Sequence, residues 1–293
     1  MQQNILKPIF IIGNPRSGTS MFRLMLTTHK DIVIAPESGF LIWWKEKYQN
    51  WDESCNITRL DEFIVDLFSS RRFEYWELDE NELTAFIASK NPISYSELMS
   101  LVYMSYAKKL GKTNAIWGDK NNYYLNHILE IYELYPHAKF IHIIRDGRDV
   151  ATSYLKLKEI KNKVHLAPDL PHEIAQIAKT WSENIAAINK GFECIPENNK
   201  YSIRYEDIVN DAEGSLKMLC DFLSLQFDPN MLNFNEYNKK HQLVPSDYMS
   251  WKSETFKKLN KNAIGKWKDK LTDEDVELFV SITNKHLVNY KYI

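Results

Sequence analysis

Residues 13–20 of the chain read Gly13-Asn14-Pro15-Arg16-Ser17-Gly18-Thr19-Ser20, and this stretch decides the fold. The apolar, β-branched residues 9–12 before it predict a buried strand, and the apolar spacing of residues 21–26 after it predicts a helix. Glycines let backbone amides converge in a turn, and the next helix presents free N–H groups and the positive end of its dipole. The order strand, glycine loop, helix therefore predicts an α/β fold whose loop can hold a phosphate.

The cation of this loop stands at an unusual position. The spacing matches the nucleotide-binding motif G-x-x-x-x-G-K-[ST], with Gly13 and Gly18 in place. A nucleoside triphosphatase needs a lysine for the β- and γ-phosphates, where this chain has Thr19, while Arg16 supplies a cation earlier in the loop. We therefore expect a nucleotide whose 5′ end carries something other than a triphosphate. A glycine turn without a ligand remains the alternative.

Length, charge and cysteine content limit the class of protein. The 293 residues are enough for a large core, and we predict one domain over residues 1–293. The net charge of −2, with acids and bases mixed along the chain, predicts neither a nucleic-acid partner nor an anionic membrane surface. The three cysteines lack metal-ligand spacing, which argues against zinc and disulfides and for a reducing compartment. No apolar run approaches the roughly 18 residues of a membrane span, so we expect a cytoplasmic protein.

Further apolar runs predict the remaining strands of a central parallel sheet flanked by helices. These runs cover residues 32–35, 115–117, 139–144 and 201–205. Residues at the carboxyl ends of such strands face the ligand crevice of an open α/β sheet. Glu37 follows the second strand at once and is therefore placed to meet a substrate, although a solvated loop carboxylate would look the same. Lys120 follows the third strand, which we expect to break at Gly118 and to leave the lysine exposed.

Residues 39–114 change to a helical pattern that carries much of the aromatic excess of the chain. Phe40, Trp43, Trp44, Tyr48 and Trp51 recur at spacings of three and four residues. One interpretation is that the rings pack these helices onto the sheet. The other is that a few of them line an acceptor pocket, since ligand sites are mostly apolar with a few placed polar groups. We predict that this helical insertion forms the acceptor side of the site.

A second motif follows the clearest strand, residues 139–144. Arg145 leaves that strand, and Ser153 comes eight residues later, about one turn into the helix that we expect to begin near Asp149. A guanidinium and a hydroxyl at this spacing can converge on one phosphate.

Residues 13–20 and the Arg145–Ser153 pair resemble the 5′-phosphosulfate loop and the 3′-phosphate site of sulfotransferases that use 3′-phosphoadenosine 5′-phosphosulfate (PAPS). The chain is most similar to the branch with tyrosylprotein and many bacterial sulfotransferases. This resemblance implies a P-loop-like α/β sandwich, PAPS as the cofactor and 3′-phosphoadenosine 5′-phosphate (PAP) as the product. It also places the cofactor on loop residues Asn14, Pro15, Arg16, Ser17, Gly18, Thr19 and Ser20. Eukaryotic relatives that act on secreted proteins or glycans carry a signal anchor, and since we find none in this sequence we expect a bacterial-type enzyme.

The same resemblance implies roles for residues outside the two motifs. Glu37 is implied as the catalytic base, Lys120 as the donor to the leaving bridging oxygen, and Arg16 as a stabiliser of charge on the sulfonate. Tyr205 is implied as an adenosine-side contact, with a buried structural tyrosine as the alternative. A basic loop before Gly265-Lys266-Trp267 is implied to close over the nucleotide, and its residues are Lys257, Lys258 and Asn260. Which of the two lysines reaches the phosphosulfate stays open.

The function that we expect is in-line transfer of a sulfonate from PAPS to a hydroxyl of a small molecule or carbohydrate, without a metal ion. Cytosolic small-molecule sulfotransferases of animals use a histidine two residues after the corresponding lysine, whereas this chain has Asn122, which favours Glu37 as the base. A small-molecule kinase of the same fold and a non-catalytic nucleotide-binding protein are the alternatives. The sequence leaves open the identity of the acceptor, transfer to an amine, and the oligomeric state.

Overall fold

The structure, a computed structural model, describes residues 6–161, 168–244 and 253–293. Its centre is a parallel five-stranded sheet in the order β2-β3-β1-β4-β5. The strands are β1 (Ile9–Gly13), β2 (Ile32–Ile34), β3 (Ile116–Lys120), β4 (Lys139–Ile144) and β5 (Lys200–Arg204). The predicted α/β class, with a parallel sheet flanked by helices, is confirmed.

Helices and turns of 3₁₀-helix connect and cover these strands. The α-helices are α1 (Thr19–Thr28), α2 (Phe40–Trp43), α3 (Lys45–Tyr48), α4 (Cys55–Thr58), α5 (Leu60–Phe68), α6 (Glu80–Lys90), α7 (Tyr95–Lys109), α8 (Ile128–Leu134), α9 (Gly147–Lys161), α10 (Ile174–Glu193), α11 (Tyr205–Asn210), α12 (Ala212–Phe222), α13 (Phe234–His241), α14 (Trp267–Lys270) and α15 (Asp273–Asn289). The 3₁₀ turns cover Phe73–Trp76, Asn122–Asn126, Glu197–Asn199, Pro229–Asn233, Ser253–Phe256 and Lys261–Ala263.

Two of the three core clusters lie on opposite faces of the sheet because successive side chains of a strand point to opposite faces. In β1, Phe10 and Ile12 belong to the layer under the helical insertion, and Ile9 and Ile11 belong to the layer under α1. The first layer is rich in aromatic rings, and Tyr103 of α7 stacks on Trp117 of β3 at 4.2 Å between ring centroids.

Most of the aromatic residues of segment 39–114 pack inward, which supports the packing interpretation for them. The fully or nearly fully buried members are Phe40, Tyr48, Trp51, Phe63, Phe73, Trp76, Tyr95, Tyr103 and Tyr106. Trp43 differs, since 41% of its surface is exposed. Its indole lies against Tyr123, with the ring centroids 6.3 Å apart.

The prediction for the third strand was wrong at its end. Strand β3 does not break at Gly118 but continues to Lys120, whose surface is 1% exposed. A Cβ at position 118 would lie 2.4 Å from the carbonyl oxygen of Ile9 and 2.5 Å from the Ile34 side chain. Gly118 therefore allows β1 and β2 to pack closely on both sides of β3. Strand β3 continues beyond this glycine, and Lys120 is buried at its end.

The strand order fixes the place of the ligand crevice. Strand β1 lies between β3 and β4, so the chain leaves it first to one side of the sheet and later to the other. Ligands of open α/β sheets bind outside the carboxyl ends of the strands at such a switch point. The segments that follow the strands meet there, and together with the C-terminal basic loop they carry the predicted site residues.

Candidate active site

A cleft of about 420 Å³ opens at this switch point. It is lined by most of the residues predicted from the sequence: Pro15, Arg16, Gly18, Thr19, Ser20, Glu37, Arg145, Ser153, Tyr205, Lys257, Lys258 and Asn260. Asn14, Ser17 and Lys120 are the predicted residues outside this lining, and all three are buried. The lining thus combines the glycine loop, the ends of β2 and β4, and the C-terminal basic loop.

The glycine loop is a tight turn followed at once by α1. The Ser17 N–H donates to the carbonyl of Asn14 at 3.1 Å, and the φ of 70° at Arg16, after Pro15, is typical of the third position of a type II turn. Gly18 precedes α1 with a φ of 90°. A Cβ at this position would lie 2.5 Å from the nearest carbon of the Tyr205 ring, so only glycine fits here. No side chain in the described structure caps α1 at Gly18, which leaves its first N–H groups to a ligand.

Asn14 fixes this loop to the helices behind it. Its amide nitrogen donates to the Tyr154 hydroxyl at 3.2 Å, and its amide oxygen accepts a hydrogen bond from Asn184 at 2.7 Å. The side chain is fully buried. The structure therefore gives Asn14 a role in holding the loop, whereas its predicted contact with the cofactor stays a prediction.

The two arginines of the motifs lie close together in the cleft. Arg16 donates through Nε to the Ser153 hydroxyl at 2.9 Å, and Arg145 donates to the carbonyl oxygens of Arg16 at 3.1 Å and Ala263 at 2.7 Å. Burial, together with repulsion from Arg145, lowers the pKa of Arg16 to about 10. An anion between the two guanidinium groups would relieve that repulsion.

Tyr205 lies beside the same pair. Its ring is stacked under the Arg145 guanidinium, with 4.4 Å from the guanidinium carbon to the ring centroid. The residue is 8% exposed and lines the cleft, so it is both a packing residue for the loop and part of the site wall. Its predicted contact with adenosine stays a prediction.

Glu37 lies between two cations at the end of β2. Its Oε1 pairs with Nζ of Lys120, and its Oε2 accepts a hydrogen bond from Arg72 at 3.0 Å. Lys120 also donates to the Ser20 hydroxyl of the glycine loop at 3.3 Å. The predicted base and the predicted bridging-oxygen donor are therefore in direct contact.

A buried carboxyl group lies beneath Lys120. Asp119 is fully buried, and its Oδ2 accepts hydrogen bonds from the hydroxyls of Tyr103 at 2.5 Å and Tyr124 at 2.8 Å. Burial raises the pKa of Asp119 to about 7, although the two phenols act in the opposite direction. The Tyr124 hydroxyl also lies 3.3 Å from the Ser38 carbonyl, so this group connects the end of β3 to the residue after Glu37.

The C-terminal basic loop is held to the start of α9. The two carboxylate oxygens of Asp149 accept hydrogen bonds from the backbone N–H groups of Gly265 at 2.7 Å and Trp267 at 3.1 Å. The guanidinium carbon of Arg148 lies 4.0 Å from the centroid of the Trp267 ring. Lys257, Lys258 and Asn260 belong to the loop that these contacts anchor.

Comparisons with known proteins identify the family. A family model described as "Sulfotransferase family" matches residues 8–229, which is most of the chain. The chain belongs to the sulfotransferase family. The resemblance drawn from the motifs at residues 13–20 and 145–153 is thereby confirmed.

Two curated relatives show the range of this family. Protein-tyrosine sulfotransferase A of Caenorhabditis elegans is 23% identical over 266 residues, which cover 88% of this chain and 60% of that protein. Omega-hydroxy-beta-dihydromenaquinone-9 sulfotransferase Stf3 of Mycobacterium tuberculosis is 25% identical, and the match covers 80% of this chain and 67% of Stf3. The chain thus spans about 60% and 67% of the length of these two relatives.

Solved structures show the same fold. The sulfotransferase domain from the curacin biosynthetic pathway superposes with a TM-score of 0.61 at 19% identity, covering 94% of this chain and 96% of that one. The sulfotransferase domain of the Synechococcus PCC 7002 olefin synthase gives a TM-score of 0.61 at 20% identity, covering 94% of both chains.

The cleft residues of this member of the family fit the nucleotide that the family uses. In the described lining, seven side chains are cationic and two are carboxylates, although the whole chain has a net charge of −2. The buried Nε of Arg145 has no hydrogen-bond partner among the described residues. A helix N-terminus, clustered cations and an unsatisfied guanidinium N–H are together suited to a nucleotide with phosphate groups at both ends.

Two residues with direct contacts in the site were missed by the sequence analysis. Arg72 contacts Glu37 across 35 residues, and Asp149 contacts Gly265 across 116 residues. Neither partner is predictable from local spacing, because both contacts depend on the packing of distant segments. Among the described residues, no helix is long and apolar enough to cross a membrane, and no group of three or more His, Cys, Asp or Glu side chains could hold a metal ion.

Proposed function

We propose that the protein transfers the sulfonate of PAPS directly to a hydroxyl group of a small-molecule or carbohydrate acceptor. The observation that carries this proposal is the contact of Glu37 with Lys120 beside the glycine loop, within one cationic cleft. A base for the acceptor and a cation for the leaving group thus lie in the same cleft, from which they can act on the two sides of the sulfonate.

Each part of the cleft has a proposed task. When bound, PAPS supplies an activated sulfonate: the acceptor oxygen forms a bond to sulfur, the bond from sulfur to the bridging oxygen breaks, and PAP leaves. Glu37 accepts the acceptor proton, a role typically worth about 10²–10⁴-fold in rate. Lys120, Arg16 and the loop amides stabilise negative charge on the bridging oxygen and the sulfonate, since preorganised donors act most strongly where charge develops.

The remaining predicted residues bind the nucleotide away from the reacting atoms. Arg145 and Ser153 hold the 3′-phosphate and mainly set the choice and position of the cofactor. Ser17, Thr19 and the exposed Lys257, Lys258 and Asn260 complete the contacts with the phosphosulfate, and Tyr205 contacts the adenosine side. In this scheme Arg16 also connects the glycine loop to the 3′-phosphate site, because its side chain is hydrogen-bonded to Ser153.

The acceptor would enter beside Glu37, next to the helical segment 39–114 of a single domain. Arg72 and Tyr123 line the cleft there, and 43% of the Tyr123 surface is exposed. The buried aromatic rings of the segment support the acceptor side from behind. The two relatives are named for a protein tyrosine and for a hydroxylated menaquinone, which supports a hydroxyl as the accepting group.

The first experiment measures the heat of binding of PAP, ADP and ATP to the wild type and to Arg145→Ala. We expect a clear preference for PAP that is lost in the variant, because the 3′-phosphate is the feature that distinguishes PAP. Arg59→Ala, which removes an arginine of the helical segment, is the control and should keep the preference. A preference for ATP, with turnover in the presence of magnesium, would support the kinase alternative.

The second experiment tests the reaction with a panel of sugars, phenols, lipid headgroups and amines and with PAPS as donor. Glu37→Gln should bind PAP like the wild type and turn over about 10²–10⁴-fold more slowly. Near wild-type turnover would reject Glu37 as the base. Binding of PAPS without sulfonation of any acceptor would favour the non-catalytic alternative.

A further inference from the structure

The carboxylate of Glu37 is bound at both of its oxygens. Lys120 pairs with Oε1, and Arg72 donates to Oε2 at 3.0 Å. The side chains of Glu37 and Arg72 are 12% and 24% exposed, so neither is a solvated surface group. Because two cations compensate its charge, this carboxylate accepts a substrate proton readily only when one of them withdraws.

The two cations differ in what else they can bind. Lys120 is also hydrogen-bonded to Ser20 of the glycine loop at 3.3 Å, so its ammonium group lies between Glu37 and the end of the loop that would meet the phosphosulfate. A lysine carries a compact charge on a flexible stem and can move between such partners. Anionic oxygens placed at the loop would draw Lys120 from Oε1.

Arg72, by contrast, is fixed to the segment that carries Glu37. The Ser38 hydroxyl donates to the carbonyl of Arg71 at 3.1 Å, and the Phe73 ring packs edge-on against Phe40 at 5.6 Å between centroids. The residues on both sides of Arg72 are therefore attached to the segment that directly follows Glu37. Its guanidinium is expected to keep its position when Lys120 moves.

The backbone of Arg72 supports a functional reason for this position. Its φ of 69° lies in the left-handed region, which is strained for a residue with a side chain. Such conformations persist where the surrounding structure enforces them and are concentrated at active sites.

We infer that Arg72 is a positioning residue for the base. It holds Glu37 through Oε2, so that Oε1 is directed at the acceptor hydroxyl once Lys120 has turned to the bridging oxygen. This inference rests on the roles proposed above for Glu37 and Lys120. The proton of the acceptor passes to Oε1, while Arg72 stays protonated and bound to Oε2 throughout.

The experiment compares Arg72→Met with Arg71→Met, the same substitution at an exposed neighbour on the same turn. The readout is the rate of PAP formation in a single turnover, with the enzyme in excess over PAPS and at a concentration that binds all of it, with water and with the best acceptor of the panel. We expect Arg72→Met to lower this rate roughly 10- to 100-fold. Its affinity for PAP should stay within twofold of the wild type, which also shows that the variant is folded. Arg71→Met should leave both quantities unchanged, and Arg72→Lys should restore part of the rate.

A double-mutant cycle with Glu37→Gln separates positioning from direct binding of the acceptor. If Arg72 acts through Glu37, Arg72→Met should cause no further loss of rate in the Glu37→Gln background. A full additional loss in that background, or a change confined to the KM of the acceptor, would overturn the inference and assign Arg72 to acceptor binding.

The failure of the proposed function has a different signature. A wild-type rate in Glu37→Gln alone would reject the base, and an absence of PAP formation by the wild type would reject the transferase. Either result rejects both the proposed function and the inference about Arg72. If Glu37→Gln is slow but Arg72→Met has the wild-type rate, only the inference about Arg72 is rejected.

Discussion

Asp149 anchors the C-terminal basic loop, so a substitution at this position tests how strongly nucleotide affinity depends on that loop. Asp149 is fully buried, and its two oxygens accept the N–H groups of Gly265 and Trp267 at 2.7 and 3.1 Å. In Asp149→Asn, the amide oxygen can accept one of these hydrogen bonds, while the amide NH₂ faces the other N–H without an acceptor. The substitution keeps the shape of the side chain and removes its charge.

The expected change in the docking equilibrium of the basic loop follows from the loss of one charge-assisted hydrogen bond. Hydrogen bonds to charged groups contribute about 1.5–3 kcal/mol, and each 1.4 kcal/mol corresponds to about tenfold in an equilibrium constant. The docked loop should therefore become roughly 10- to 150-fold less favoured. The contacts of Arg145 with Ala263 and of Arg148 with Trp267 remain and oppose complete release of the loop.

Calorimetric titration with PAP measures this effect, and trypsin cleavage after Lys257 and Lys258 provides an independent readout. We expect weaker PAP binding by Asp149→Asn within that range, together with faster cleavage that PAP suppresses less. Asp221→Asn, at an exposed position of α12, is the matched control and should behave like the wild type. Unchanged PAP affinity together with faster cleavage would refute the link between this turn and the nucleotide, and unchanged cleavage would refute the anchoring role of Asp149.

Two other substitutions test the glycine loop and the buried carboxyl group of Asp119. Gly18→Ala should weaken PAP binding at least tenfold in calorimetry, because Gly18 has a φ of 90° and a Cβ would lie 2.5 Å from the Tyr205 ring. Gly111→Ala, also at a positive φ but with no atom within 4 Å, should reduce only stability, and equal PAP affinities of the two variants would contradict the clash. The pKa of Asp119 is about 7 in the folded protein and lower in the unfolded chain, so between these values only the folded state keeps the proton. The contribution of Asp119 to the free energy of unfolding should therefore decrease by about 1.4 kcal/mol per pH unit as the pH rises toward 7. Asp119→Asn should lack this slope in urea unfolding between pH 5 and 8, and parallel pH profiles would show that the carboxyl group is not the origin.

The sheet and the nucleotide side of the cleft were predictable because their signals are local. Each parallel strand is a short apolar run, and the residues that follow it reach the same edge of the sheet. Arg16, Glu37 and Arg145 each stand directly after such a run or in the adjoining loop, so their meeting in one cleft follows from the strand pattern. The comparison with the sulfotransferase family then needed only two motifs.

The environment of Lys120 was mispredicted because one residue type serves two purposes. Glycine ends many strands, and the prediction treated Gly118 in that way. In the folded protein the missing side chain instead makes room for β1 and β2, and Lys120 continues the strand into the interior. Only the packing of neighbouring strands distinguishes these two uses of glycine.

Arg72 and Asp149 were out of reach for a different reason. The pair Arg71-Arg72 follows α5 in a stretch that matches no motif, and its contact with Glu37 exists because Phe73 packs on Phe40. Asp149 stands in the first turn of α9, where an acidic residue is common for electrostatic reasons alone. A sequence pattern that already has an ordinary explanation gives no reason to search for a distant partner.

The charges around Glu37 imply an order of events in the proposed reaction. As long as Lys120 and Arg72 bind both oxygens of the carboxylate, an acceptor hydroxyl that enters first meets a base whose charge is already compensated by two cations. A bound polyanionic nucleotide would offer Lys120 a partner beside Ser20 and so release Oε1. Binding of PAPS before activation of the acceptor would then result from competition for one lysine, and no movement of the sheet or the helices would be needed.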